Sequence, residues 1–168
     1  AGEIVAPTMK NNFNGATTGA TILNTGDSAT TVDLDFSVTN TSGTCSADIG
    51  DTASDELDLD PGQAKVVHFN QGNVGGRPNC VFYSMTATAD QNIVVTVNEN
   101  RNYQGQTVKA VYSGFNTAAA TDSAFFPLVK EYFNGQTTGV SAVNAGDSAT
   151  KIKGTYTDQN GNVYVVES

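Results

Sequence analysis

A stretch of 24 residues, Pro7 to Thr30, recurs without a gap as Pro127 to Thr150, with 14 of the 24 positions identical. Recurrence at a fixed offset, here 120 residues, marks a duplicated structural unit and constrains the fold more than any single motif. The retained residues are turn and strand markers. Asn14-Gly15 and Asn134-Gly135 tolerate positive φ and suit a tight turn. Gly26-Asp27 and Gly146-Asp147 form a second turn, leaving one strand between the two turns, Thr17 to Asn24 in the first copy and Thr137 to Asn144 in the second. Pro7 and Pro127 sit early in the preceding strand, where an edge position tolerates a missing N–H.

The clearest strand follows. From Thr31 to Val38, apolar Val32, Leu34, Phe36 and Val38 alternate with polar Thr31, Asp33, Asp35 and Ser37, so one face is buried and one is wet. Its second copy, Lys151 to Thr157, keeps Ile152 and Tyr156 on the inner face but has Gly154 in place of Leu34. Further strands are expected over Gln63 to Phe69, Val81 to Ala89 and Ile93 to Asn98. They are separated by the Pro61-Gly62 turn, a Gly-rich loop from Gln71 to Pro78, and the turn Asp90-Gln91-Asn92. Six or seven short strands over roughly 100 residues, with no helical period, predict an all-β, immunoglobulin-like antiparallel β-sandwich.

The expected organisation is a complete unit over 1–100, a connecting segment over 101–125 with a possible extra strand from Gln106 to Phe115, and a partial second repeat over 126–168. That repeat offers strands at Phe126 to Glu131, Thr137 to Asn144, Lys151 to Thr157 and Asn162 to Val166, the last two joined by the hairpin turn Asp158 to Asn162. It lacks counterparts of the strands at 63–69, 81–89 and 93–98. Half a sandwich cannot cover its apolar face or pair its strand edges. It could pack on the first unit, take strands from a neighbouring subunit, or belong to a longer repeat protein. Phe126, Leu128, Tyr132, Phe133, Ile152, Tyr156, Val163 and Val165 are the candidate assembly residues.

A net charge of −9 leaves no basic patch for nucleic acid or an anionic membrane surface. No apolar run approaches the roughly 20 residues of a membrane-spanning helix. Charged residues make up 15 % of the chain, and Thr, Ser, Asn and Gly carry the rest of its polarity, as in extracellular β proteins. The start at Ala1-Gly2-Glu3, without Met, fits cleavage of a signal peptide. Two cysteines, Cys45 and Cys80, in a chain of secretory character suggest a disulfide closing a loop of roughly 36 residues.

Taken together, Pro127-Leu-Val-Lys130, Phe133-Asn-Gly135, Thr137-Thr-Gly139 and Asn144-Ala-Gly-Asp147 resemble an immunoglobulin-like repeat module of secreted and surface proteins of bacteria. In the first unit Leu59 to Gly62, Ser84 to Thr88 and Val97 to Glu99 stand where that module carries its later strands, and paired cysteines occur in such modules. The resemblance implies a sandwich fold and an extracellular location, with no catalytic residues to carry over.

Candidate chemistry is sparse. His68 is the sole histidine and has no paired nucleophile, so no triad is expected. Asp51, Asp55, Glu56, Asp58 and Asp60 read as a solvated acidic loop without regular calcium spacing. Asp158, Asn160 and Asn162 alternate like the start of a calcium loop, but Gly161 is misplaced for one and a hairpin explains them better. Asn40-Thr41-Ser42 is a glycosylation sequon expected in a turn. Phe13, Tyr132 and Phe133 flank the Asn-Gly turns, where they could stack on glycans or pack in an interface. No enzyme activity, metal or cofactor is expected. The partner expected is the chain itself, in an extracellular filament or layer, with an adhesive or carbohydrate-binding module as the alternative.

Overall fold

The computed structural model describes residues 2–69, 77–103 and 106–167, so residues 71–76 of the expected Gly-rich loop lie outside the described residues. The fold is all-β and antiparallel. In chain order the strands are β1 (Gly2–Asn11), β2 (Ala16–Asn24), β3 (Thr30–Thr41), β4 (Thr52–Leu59), β5 (Ala64–His68), β6 (Val81–Ala89), β7 (Ile93–Tyr103), β8 (Gln106–Ser113), β9 (Phe115–Asn116), β10 (Lys153–Thr157) and β11 (Val163–Glu167). One sheet runs β4-β3-β6-β1-β9 and a second runs β5-β2-β7-β8, while β10 and β11 pair only with each other.

The period-two pattern of β3 does what it predicts. Val32, Leu34, Phe36 and Val38 are buried, while Asp33 and Asp35 face water. They meet the inward residues of β6 and β1, with Phe36 opposite Met85 and Met85 opposite Ala6. Ile22 of β2 and Val95 and Val97 of β7 line the facing sheet, and all these residues form one core cluster. An aromatic group anchors one end, with Phe36 against Phe69 at 5.7 Å and against Tyr83 at 6.2 Å between ring centroids.

Pro7 lies past the reach of β9, which pairs with β1 only at Ile4 and Val5, and a bulge accommodates it: the β1–β6 register slips between Ala6, opposite Met85, and Met9, opposite Tyr83. Within that bulge the Tyr112 hydroxyl on β8 completes the backbone of Thr8, accepting from its N–H at 3.1 Å and donating to its carbonyl at 2.8 Å. Tyr112→Phe is therefore expected to cost about 1–3 kcal/mol by leaving part-buried backbone groups unpaired. Urea unfolding checks this, and an unchanged midpoint would count against it. Burial also pushes the Tyr112 hydroxyl above its ordinary value of 10.0. Its folded state favours the neutral form, so its contribution is complete below that pH and is lost as pH rises through the raised value.

The acidic stretch is a loop only at its ends, Asp51 and Asp60, which flank β4. Asp55, Glu56 and Asp58 lie on β4, paired in register with β3, and Arg77 holds the Asp55 carboxylate. Strand β4 is an edge, and charge on an edge discourages pairing with another chain. Its acids obscured an apolar alternation of Ala53, Leu57 and Leu59.

The first unit also continues past residue 100. Strand β7 runs to Tyr103, β8 pairs along it, and β9 sets Phe115 and Asn116 against Val5 and Ile4 of β1. The expected extra strand is thus part of the sandwich, and the sheets extend to Asn116. Cys45, in the β3–β4 connection, and Cys80, just before β6, form a disulfide with 5.9 Å between Cα atoms. Among the described residues no helix is long and apolar enough to cross a membrane.

Candidate assembly surface

The second repeat keeps the local backbone of the first without its sheets. Around the first turn Asn12, Asn14 and Gly15 have φ of 50°, 49° and 76°, and Tyr132, Asn134 and Gly135 have 50°, 51° and 73°. Phe13 bridges Ala16 as Phe133 bridges Gln136. Thr18 accepts from the Lys10 N–H at 2.8 Å, and Thr138 from the Lys130 N–H at 3.0 Å. At the second turn the Asn24 amide donates to the Ser28 carbonyl at 2.8 Å, as Asn144 does to Ser148 at 2.7 Å. These bonds lie within the repeated segment, so its sequence alone specifies them.

Sheet pairing does not follow. Of the four strands expected over 126–168, only Lys153–Thr157 and Val163–Glu167 pair, with Tyr156 opposite Tyr164. The stretches Phe126 to Glu131 and Thr137 to Asn144 carry no strand pairing. The first unit shows why. There β1 bonds to β6 and β9, and β2 bonds to β5 and β7, but β1 and β2 are not neighbours in either sheet. Strand β3 does neighbour β4. Residues 126–167 hold counterparts of β1 to β4, so only the last two find a partner among themselves.

The apolar residues of that repeat are consequently exposed. Phe126, Leu128, Phe133, Ile152, Tyr156, Val163 and Val165 are all open to solvent, and Tyr132 is 82 % exposed. Their counterparts at 6, 32 and 36 (Ala6, Val32 and Phe36) are at most 1 % exposed. The expected inner-face pair Ile152 and Tyr156 therefore has no core to enter. Here the structure brings together the turn motifs Asn134 and Gly135 with Tyr132 and Phe133, and it sets Val163 and Val165 along β11.

The other candidates resolve as structural features. Asp158 turns its carboxylate into its own hairpin, accepting from the Asn160 N–H at 2.8 Å and the Asn162 N–H at 2.9 Å. The Asn162 side chain donates to its second oxygen at 2.8 Å. That side-chain bond, followed by the backbone ones, holds the Asp158 carboxyl below its ordinary value. Among the described residues no group of three or more His, Cys, Asp or Glu could hold a metal ion. His68 lies on β5 against Gly19, where an added Cβ would stand 2.9 Å from its ring. Asn40 is exposed within β3, at the bulge between Val38 and Asn40 rather than in a turn. Sequence reading passed over Lys130, whose retention opposite Lys10 was the available signal.

No family model matches the chain, and no curated protein matches it. A solved structure from Thermotoga maritima, described as the crystal structure of Thermotoga maritima 1070, is similar over 68 % of this chain and 93 % of its own length. Its TM-score is 0.53 at 17 % identity, a likeness of fold alone.

Proposed function

We propose that this chain is an extracellular structural protein that assembles with copies of itself, the partial second repeat of one subunit being completed by strands of another. The observation that carries this reading is the exposed repeat at 126–167, in which 126–131 and 137–144 keep the turn geometry of the first copy but carry no strand pairing. Unpaired strand edges and apolar strand faces favour completion by further strands. The disulfide is compatible with an oxidising compartment and so with secretion to the cell surface. The finer fold reading is immunoglobulin-like: the order β1-β6-β3 in one sheet and β2-β7-β8 in the other matches the B-E-D and C-F-G orders of that fold. With the repeat motifs, this supports kinship with bacterial surface modules. An adhesive or carbohydrate-binding role would rest on the exposed Tyr132 and Phe133 rings.

Light scattering and electron microscopy of the full chain test the proposal. The native chain is expected to form polymers or closed oligomers. Tyr132→Asp combined with Phe133→Asp is expected to return it to a monomer with an unchanged unfolding midpoint, since both side chains are exposed. A native chain that stays monomeric at tens of micromolar would falsify the reading.

A further inference from the structure

The first unit indicates what its copy recognises. We propose that residues 126–157 accept an extended, two-stranded polypeptide segment that brings a carboxylate to Lys130 and an aromatic ring to Phe133. This goes beyond the self-assembly reading: it keeps completion by strands but gives those strands a chemistry that β6 of another copy does not supply.

In the first unit the Lys10 ammonium meets the Glu99 carboxylate at 2.7 Å and lies 5.4 Å from the centroid of the Phe82 ring. Phe82 in turn takes Phe13 edge-on at 5.4 Å. Four groups thus form one contact, in which Lys10 and Phe13 come from the repeated segment. Phe82 lies on β6 and Glu99 on β7, two strands without counterparts in 126–167. The repeat retains its half of the contact, Lys130 and Phe133, in the same local backbone. Among the described residues Lys130 is in no ion pair, and its ammonium donates to the neutral amide oxygen of Gln136. Phe133 is 61 % exposed. A half-buried lysine beside an exposed ring suits a strand pair that carries a carboxylate and a second ring.

Strand exchange into the first unit of another copy does not satisfy this. Ala6 is fully buried opposite Met85, and the repeat places Phe126 there. Asn11 is buried and donates to the carbonyls of Arg77 at 3.1 Å and Pro78 at 2.9 Å, and the repeat has Glu131, which cannot donate. Ala16 is buried, and the repeat has Gln136. Overpacking and an unpaired buried carboxylate both oppose the exchange. The completing strand therefore needs a small residue where β6 has Met85.

The probe is a synthetic peptide with the sequence of residues 81–99 carrying Met85→Ala, titrated into the full chain by calorimetry. It is expected to bind. Lys130→Gln in the chain, or Glu99→Gln in the peptide, is expected to weaken binding about ten-fold, and the two together no further than either alone. Phe133→Ala weakens it separately. Absent binding, equal binding by a scrambled peptide, or binding indifferent to Lys130→Gln would each overturn the proposal, the last by placing the peptide elsewhere. The self-assembly reading fails on a different result, a monomeric native chain, which leaves peptide binding free to succeed.

Discussion

Phe36→Ala is expected to destabilise the first unit by about 3–5 kcal/mol, whereas Tyr156→Ala, at the same repeat position, changes stability by no more than about 0.5 kcal/mol. Phe36 is 1 % exposed and Tyr156 is 40 % exposed. Truncating Phe36 removes its edge contacts with Phe69 and Tyr83 and leaves a cavity beneath Met85. It also strips the ring face from the Arg77 guanidinium, which sits 4.9 Å from the centroid while holding the Asp55 carboxylate. Tyr156 stands between Thr155 and Thr157 on a two-stranded hairpin, where truncation opens no enclosed volume. Urea unfolding followed by circular dichroism measures both variants. Equal losses would mean that the second repeat has a core of its own, contrary to its exposure.

That contrast shows how far the sequence could be read. The pattern of Val32, Leu34, Phe36 and Val38 specified strand, face and burial, because a residue-by-residue alternation depends only on the pleat. The same reasoning placed Val81 to Ala89 on its observed bounds, while the count of two cysteines in a chain of secretory character paired Cys45 with Cys80. It missed β4, because Asp55, Glu56 and Asp58 look like a loop until β3 is known to lie beside them. It put the end of the first unit near residue 100, because nothing local reveals that β8 pairs with β7 or that Tyr112 reaches the bulge at Thr8. The missing ingredient in each case is a long-range partner. The second repeat illustrates the point within one chain. Its local hydrogen bonds form from sequence alone, yet the strands at Phe126 to Glu131 and Thr137 to Asn144 stay unpaired where β6 and β7 have no counterparts. The Lys130 and Phe133 half-contact became legible only when Lys10 and Phe13 were seen with Glu99 and Phe82.

Removing the disulfide by Cys45→Ser with Cys80→Ser is expected to cost about 3.5–4 kcal/mol, close to the loss at Phe36 but through a different state of the chain. The bond joins residues 35 apart, so cutting it frees a long loop in the unfolded ensemble. The folded arrangement has other support. Ser42 donates its N–H to the Cys80 carbonyl at 2.9 Å, and β3 and β6 remain paired from Val32–Ala89 to Thr41–Val81. The two losses therefore separate in the slope of denaturation. Freeing the loop expands the unfolded state and exposes more surface, so the slope rises, whereas Phe36→Ala moves the midpoint with the slope unchanged. A midpoint loss without a steeper slope would place the disulfide's effect in the folded state. The second repeat supplies the internal control: it contains no cysteine, so the β10–β11 hairpin is expected to keep its pairing in the double serine variant, as amide exchange at Tyr156 and Tyr164 would record.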